Sequence, residues 1–352
     1  MDAEGAKAPC LWALASYRAG ENGQIRGLVE ALGWPYRWIE LSYRRRGAIQ
    51  QLMRGVGLQG VDTRRSNGLE APWPDILVSA GLRNEPVARW VKQASGGSTR
   101  LVFLGRTWAG LQHFDLVITT PQYQLPDADN VLHNPTTLHG VTPPLLAEHG
   151  ETLRGELARY PEPRIGVLLG GDSGPFPFRR RAAAILGRML DRKAQGSAGS
   201  LLVTTSARTH MDAVRALEDT LSAPTFLYRW ASDATDNPYF GLLALADELV
   251  VTGDSIAMLS EAVATGKPVH IFDLDLERYD QTPDLTLKSV LYRALMRAGP
   301  QRLSRNISIV HERLVGQGQA VWLGEPWKGA SKPPEDAVQR AVARVKQLAA
   351  RD

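Results

Sequence analysis

Apolar residues along the chain fall into short runs separated by longer segments of helical periodicity, and the two alternate throughout. In the first half, residues 11–15, 36–41, 75–79, 100–104 and 116–119 read as buried strands, with Val131 and Leu132 as a short further one. Between them, residues 23–32 and 85–93 carry apolar positions at helical spacing. Residues 55–74 hold glycines, arginines and little periodicity, which predicts a loop or a poorly ordered excursion. Residues 143–160 read as a helix ended by Pro161-Glu162-Pro163, and that proline pair predicts a domain boundary.

The second half repeats the alternation. Strands are expected at 165–169, 201–203, 225–228, 249–251 and 269–272, with helices at 182–190, 211–221, 239–246 and 256–264. Strands separated by helices pair in parallel, so each half predicts a doubly wound α/β sheet. The expected domains are 1–160 and 161–334, each Rossmann-like, and residues 335–352 read as a polar, Arg/Lys-rich helix.

The candidate chemistry lies where strands end. The apolar run before Thr252 is followed by Gly253-Asp254-Ser255, then by a helix in which Ile256, Leu259 and Val263 face the sheet. Gly253 is expected to take a positive φ, and Asp254 or Ser255 to cap that helix. Free N–H groups at a helix start favour an anion. Glu261, next to Ser260 and off the apolar stripe, either accepts from ribose hydroxyls or is a solvated acid. A second turn, Gly170-Gly171-Asp172-Ser173-Gly174, follows the strand at 165–169. A third, Thr204-Thr205-Ser206-Ala207-Arg208-Thr209, places hydroxyls and an arginine before a helix. Ligands of open α/β sheets bind beyond the carboxyl ends of strands, so the three turns are expected to converge, with Asn237 and Tyr239 at the edge. Ser255→Ala and Gly171→Val are then expected to weaken nucleotide binding without unfolding the chain.

An anion-binding helix start with a carboxylate for ribose is how a nucleotide-sugar site can be built, and sugar transfer with inversion would need a base on the acceptor hydroxyl. The loop after the first strand, with Arg18, Gly20, Glu21 and Gln24, is the place for it, and Glu21 is its only carboxylate. Glu21 is equally well placed as an acid at a helix amino terminus. Arg83 and Arg106 follow later strands and suit a phosphate or an acceptor. Other chemistries fit less well. Gly171-Asp172-Ser173-Gly174-Pro175 has a protease-like look but sits between strand and helix, and no Asp-x-x-His follows Gly253-Asp254-Ser255 as a hydrolase of that motif requires. Asp273-Leu274-Asp275 has the spacing of a metal-binding pair, but with Glu277 and Asp280 reads as a solvated loop. The seven histidines show no zinc spacing, so no metal is expected.

The second-half turns resemble the carboxy-terminal half of GT-B glycosyltransferases, the peptidoglycan N-acetylglucosaminyltransferase group being the nearest analogue. A longer likeness covers nearly the whole chain: it resembles the mitochondrial-fission "elongated mitochondria" family. The residues that carry it are Ala19-Gly20, Gln24, Gly27-Leu28-Val29-Glu30-Ala31-Leu32-Gly33, and the stretches 74–83, 204–209 and 237–262. The resemblance implies two Rossmann-like domains facing across a cleft, 1–160 on the acceptor side and 161–334 binding a nucleotide-diphosphate sugar as substrate, with the helix at 335–352 crossing back onto the first domain and no cofactor. It also implies a competing role, because plant members act as organelle-surface adaptors that recruit a dynamin-like fission protein.

Composition narrows the setting. With 352 residues, 43% apolar and 22% charged, the chain has the make-up of a globular enzyme of two domains. One cysteine, Cys10, fits a reducing compartment and is expected to be buried and inert. No apolar run is long enough to cross a bilayer, and a cytoplasmic protein, peripheral to the inner membrane, is expected. The formal charge of +4 is concentrated at Arg44-Arg45-Arg46 and Arg179-Arg180-Arg181. These are either solvated helix faces or contacts for anionic lipid or a lipid-linked acceptor. No aromatic-interleaved basic motif points to nucleic acid.

Overall fold

The computed structural model describes residues 8–44, 55–66, 68–172, 177–231, 236–284, 286–299, 305–329 and 335–350. Arg45, Arg46, Ser173 and Gly174 lie outside them. The chain forms two compact units, residues 1–140 with 336–352, and residues 141–335.

In the first unit the order is β1 (Leu11–Leu14), α1 (Ala19–Leu32), β2 (Tyr36–Ile39), β3 (Ile76–Ala80), α2 (Glu85–Ala94), β4 (Arg100–Leu104), β5 (Leu116–Thr119) and β6 (Val131–His133). They form a parallel sheet of order β2-β1-β3-β4-β5-β6. Every residue of β1, β3 and β5 is buried, as strands with both faces covered must be. One face packs on α1 through Ile25, Leu28 and Val29, joined by Ala341, Val342 and Val345 of the last helix, Ala337–Ala349. The other packs on Val87, Ala88 and Val91 of α2. Residues 55–66 and 68–74, read as a loop or a poorly ordered excursion, are a packed loop, in which Val61 is buried and Trp73 meets Trp12 and Trp90 edge-on or tilted. Cys10 is exposed, contrary to expectation, because it precedes the first buried position of β1.

The second unit runs α3 (Pro143–Leu157), β7 (Arg164–Leu168), α4 (Arg180–Gly196), β8 (Ser200–Thr204), α5 (Met211–Glu218), β9 (Thr225–Tyr228), α6 (Tyr239–Leu245), β10 (Glu248–Thr252), α7 (Ile256–Ala264), β11 (Val269–Phe272), α8 (Leu287–Ala298), α9 (Ser308–Gly316) and β12 (Val321–Trp322). The sheet order is β12-β11-β10-β7-β8-β9, again parallel. Helices α4 and α5 cover one face, and α6, α7 and α9 the other. The last helix, Ala337–Ala349, is α10 and belongs to the first unit.

The division between units falls at Gly140 and Val141, ahead of the proline pair. Packing sets it: α3 lies on α6, and its Leu153 and Leu157 share a core with Leu202 and Leu242. A Cβ on Gly241 of α6 would stand 2.9 Å from the His149 carbonyl, so glycine permits that close helix pair.

Candidate functional site

The carboxyl ends of β7, β8 and β10 are tied together by hydrogen bonds. The Gly170 N–H donates to Thr252 Oγ1 at 2.8 Å, and the Gly171 N–H donates to Asp254 Oδ2 at 2.8 Å. Thr252 Oγ1 in turn donates to Asp254 Oδ1 at 2.7 Å. From the third turn, Ser206 Oγ donates to the Gly170 carbonyl at 3.0 Å and Thr209 Oγ1 to that of Leu169 at 3.1 Å. Arg208 closes the cluster, with Nη2 3.0 Å from Asp254 Oδ2 and Nη1 donating to the Asp172 carbonyl at 3.2 Å.

The approach is close enough to demand glycine. A Cβ on Gly170 would fall 2.3 Å from the Asp254 carboxylate, and one on Gly171 2.1 Å from the Arg208 carbonyl. Substituting Gly171 therefore moves backbone, and a Gly171→Val change is no longer a clean test of binding. Asp254 is fully buried, and burial pushes its pKa up against the pull of Arg208, the Gly171 N–H, the Thr252 hydroxyl and Arg305. Its carboxylate turns to these partners, so it does not cap α7. Ser255 occupies the cap position with extended backbone but makes no side-chain cap bond. Nor does Gly253 adopt a positive φ. Glycine serves close approach there instead: a Cβ would sit 3.0 Å from His311 Cε1 and 3.2 Å from the Phe272 carbonyl.

Asp172 binds the second turn to α4 and α5. It accepts from the Phe178 N–H at 3.1 Å, pairs with Arg179, and lies 3.4 Å from His210 Nε2. Several hydroxyls expected to face a ligand serve the fold. Thr204 is buried, Thr205 Oγ1 accepts from the Trp230 N–H at 2.8 Å, and Ser260 Oγ donates to the Ile256 carbonyl at 2.7 Å. Asn237 Oδ1 accepts the Tyr239 N–H at 3.1 Å, opening α6. The Tyr239 hydroxyl donates to Glu261 Oε2 at 2.5 Å. Burial raises the Glu261 carboxyl to about 7, the tyrosine bond opposing it, and drives the Tyr239 hydroxyl well above its ordinary value. Glu261 is half-buried, and its carboxyl is engaged by Tyr239.

Beside the cluster, beyond β10 and β11, is a cavity of about 360 Å³ whose lining includes Gly253, Asp273, Asp275, Arg278, His311 and Trp322. His311 is buried with no hydrogen-bond partner on Nε2, and burial lowers its pKa to about 4, so it is neutral. The Arg278 guanidinium lies 4.1 Å over the Trp322 ring. Asp273 and Asp275, expected in a solvated loop, line this cavity and are each held by arginine, Arg278 at 3.4 Å and Arg293 at 2.7 Å. Among the described residues no group of three or more His, Cys, Asp or Glu is placed to hold a metal ion.

In the first unit, the loop after β1 folds onto the start of α1. The Ser16 N–H donates to Asn22 Oδ1 at 2.6 Å, and Asn22 Nδ2 donates back to the Ser16 carbonyl at 2.8 Å. Glu21 accepts from Ser16 Oγ and from Arg18 Nη1, the latter at 3.3 Å. Gly81, with φ +84°, leaves room for this pair, since a Cβ there would fall 2.4 Å from Glu21 Oε2. Gln24 donates to the Gly20 carbonyl at 3.2 Å within α1. Arg83 lies 4.6 Å over the Tyr17 ring and Arg106 5.5 Å over that of Tyr123. These loops follow β1, β3 and β4, and β1 and β3 flank the switch point of the sheet, where open α/β folds bind ligands.

A family profile described as "Mitochondrial fission ELM1" matches residues 19–348. The chain belongs to the mitochondrial fission ELM1 family. An uncharacterized protein of Rickettsia prowazekii is 32% identical over 299 residues, covering 74% of this chain and 82% of that protein. The mitochondrial fission protein ELM1 of Arabidopsis thaliana is 26% identical over 230 residues, 58% of this chain and 53% of the plant protein. The chain thus spans about half the length of that plant relative. Among solved structures, a UDP-GlcNAc 2-epimerase from Neisseria meningitidis bound to UDP-GlcNAc is similar at 12% identity, with 96% of this chain and 99% of that chain covered and a TM-score of 0.49.

Three residues of this cluster were not placed in it from the sequence: Thr252, His311, and Arg179, which was read with Arg180 and Arg181 as a solvated face or a lipid contact and instead pairs with Asp172. Thr252 had a signal, a hydroxyl closing an apolar strand before a glycine turn. Arg179 and His311 had none, because their partners Asp172 and Gly253 lie on other elements.

Proposed function

We propose that this ELM1-family protein is a metal-independent GT-B-type glycosyltransferase, its second unit binding a nucleotide-diphosphate sugar. The observation that carries the reading is the interlock of three strand-end turns around Asp254 and Arg208. A buried carboxylate beside a diphosphate would repel it. Asp254 instead spends its charge on Arg208, Gly171 and Thr252, and the half-exposed Arg208 is left to meet an anion from a fixed position. Gly253 and Ser255 lead the α7 amino terminus, whose N–H groups add to this field. Asp254 is thus a positioning residue, and Arg208 the contact.

In this reading Glu261, released from Tyr239, accepts the ribose hydroxyls, while Asn237 and Tyr239 border the base. The cavity by Gly253 takes the sugar. Its volume suits one hexose-sized group, and its aspartates, neutral histidine and indole offer acceptors and an apolar wall. On the first unit, Arg18, Arg83 and Arg106 suit a phosphorylated, lipid-linked or cell-envelope acceptor, with Glu21 as base. The site is proposed to work at a cytoplasmic membrane face. No described helix is long and apolar enough to cross a membrane.

Calorimetric titration with UDP and GDP tests the donor site. Binding tighter than millimolar is expected for one of them, and Arg208→Ala should weaken it by about 10- to 150-fold. Absence of binding by both removes the proposal. One observation favours the adaptor reading instead: both Glu21 oxygens are already engaged, by Ser16 and Arg18, in a family named for mitochondrial fission. A Glu21→Gln variant that transfers sugar as fast as wild type would take the base role from Glu21.

A further inference from the structure

Helix α8, Leu287–Ala298, carries a stripe of exposed apolar residues. Leu287 is 89% exposed, Val290 49% and Leu291 70%. Their spacing places them on one face, and the exposed Ala294 continues it by a turn. The opposite face, with Ser289, Tyr292, Arg293 and the half-buried Met296, holds the helix down. Ser289 is buried and exchanges hydrogen bonds with Thr286 at 2.9 and 3.1 Å. Arg293 Nη2 lies 2.7 Å from Asp275 Oδ1, and the Tyr292 hydroxyl accepts the Arg305 N–H at 2.9 Å.

This is the reverse of a helix seated on a hydrophobic core. Left in water, such a stripe gains nothing from folding, so its residues are explained by something that covers it. Charge says what. From Asp284 to Glu312 the sequence has no acidic residue between, while Lys288, Arg293 and Arg297 fall within the helix. The helical positions of Lys288 and Arg297 lie on either flank of the apolar stripe. An apolar stripe between basic flanks is the pattern of a helix lying in a bilayer interface, with carbon among the acyl chains and cations at lipid phosphates.

We propose that α8 docks this protein on an anionic phospholipid bilayer, with Leu287, Val290 and Leu291 inserted at the headgroup boundary. The docking does not depend on donor binding or on catalysis.

Co-sedimentation with vesicles tests it, using phosphatidylcholine alone and phosphatidylcholine with about one-third phosphatidylglycerol. The full chain is expected to sediment with the anionic vesicles, less with the neutral ones, and to be released by salt. Leu287→Glu combined with Leu291→Glu should lower partitioning by about tenfold or more. Because both leucines are exposed, the thermal midpoint of that variant should match wild type. A wild-type chain that stays in the supernatant with the anionic vesicles overturns the proposal, as does a double variant that sediments equally well. So does a wild-type dimer in light scattering that the double variant abolishes while neither binds vesicles, since the face would then belong to a second copy.

Discussion

At the scale of single residues, the site is held by a buried charge and by glycines that leave it room. Asp254→Ala should cost about 1–3 kcal/mol in denaturant unfolding, because the Gly171 N–H and the Thr252 hydroxyl lose a buried acceptor. Gly171→Ala should destabilise as well, its Cβ being placed against the Arg208 backbone. Two other residues make stability depend on pH with opposite signs. The Glu261 carboxyl is raised from 4.5 to about 7, so the unfolded chain releases that proton first and stability falls as pH rises through this window. His311 is lowered from 6.5 to about 4, so the unfolded chain gains a proton first and stability is lost as pH falls through that range. Relative to wild type, Glu261→Gln should therefore gain stability toward pH 7, and His311→Gln should lose less toward pH 4. Urea midpoints measured across the range check both slopes. Sequence pattern singled out Asp254 and Glu261 because each sits in a turn–helix segment. It could not say that their partners were Arg208 and Tyr239, which are distant along the chain.

At the scale of elements, most of the strands and helices were legible because each buries both faces or one regular stripe. The strands at 100–104, 116–119, 225–228 and 269–272 and the helix at 256–264 lie where the pattern places them. The stretch after Phe272 did not yield, and α8, α9 and β12 were unassigned. The reason is physical: α8 turns its apolar stripe outward and β12 has two residues, so neither follows the rule of burying its apolar side. The last helix, α10, does follow it. Its Asp336 side chain caps the first turn by accepting from the Val338 and Gln339 N–H groups at 3.0 and 2.9 Å. Its Ala341, Val342 and Val345 complete the core around Leu28 and Val29. Truncation before Asp336 should therefore leave the first unit insoluble or molten, read as loss of near-ultraviolet circular dichroism. Val345→Ala should cost about 1–2 kcal/mol by chemical denaturation.

At the scale of the whole molecule, the chain builds two units with separate cores, and the last helix returns to the first of them. A nucleotide diphosphate held by the second unit should stabilise that unit by mass action. Hydrogen exchange with saturating UDP or GDP should show protection gained in residues 141–335, greatest around 170–172 and 252–256. An equal gain over both units would count against a donor site confined to the second.

The alternation of apolar runs and amphipathic segments determined by itself that this protein is α/β with parallel sheets, because a helix crossing over between strands lets the next strand run in the same direction. It also marked the strand ends as the place for chemistry, since glycine and hydroxyl turns interrupt apolar runs there. Only the tertiary structure decided which of those side chains are engaged within the fold. Thr204, Thr205 and Ser260 are consumed internally, and Asp254 is paired with Arg208. It also moved the division between units ahead of the prolines, because α3 belongs to the core it packs on. Period and turn chemistry are local and can be read along a chain. Pairing of buried charges and the seating of helices depend on contacts between residues far apart in sequence, and these exist only once the chain has folded.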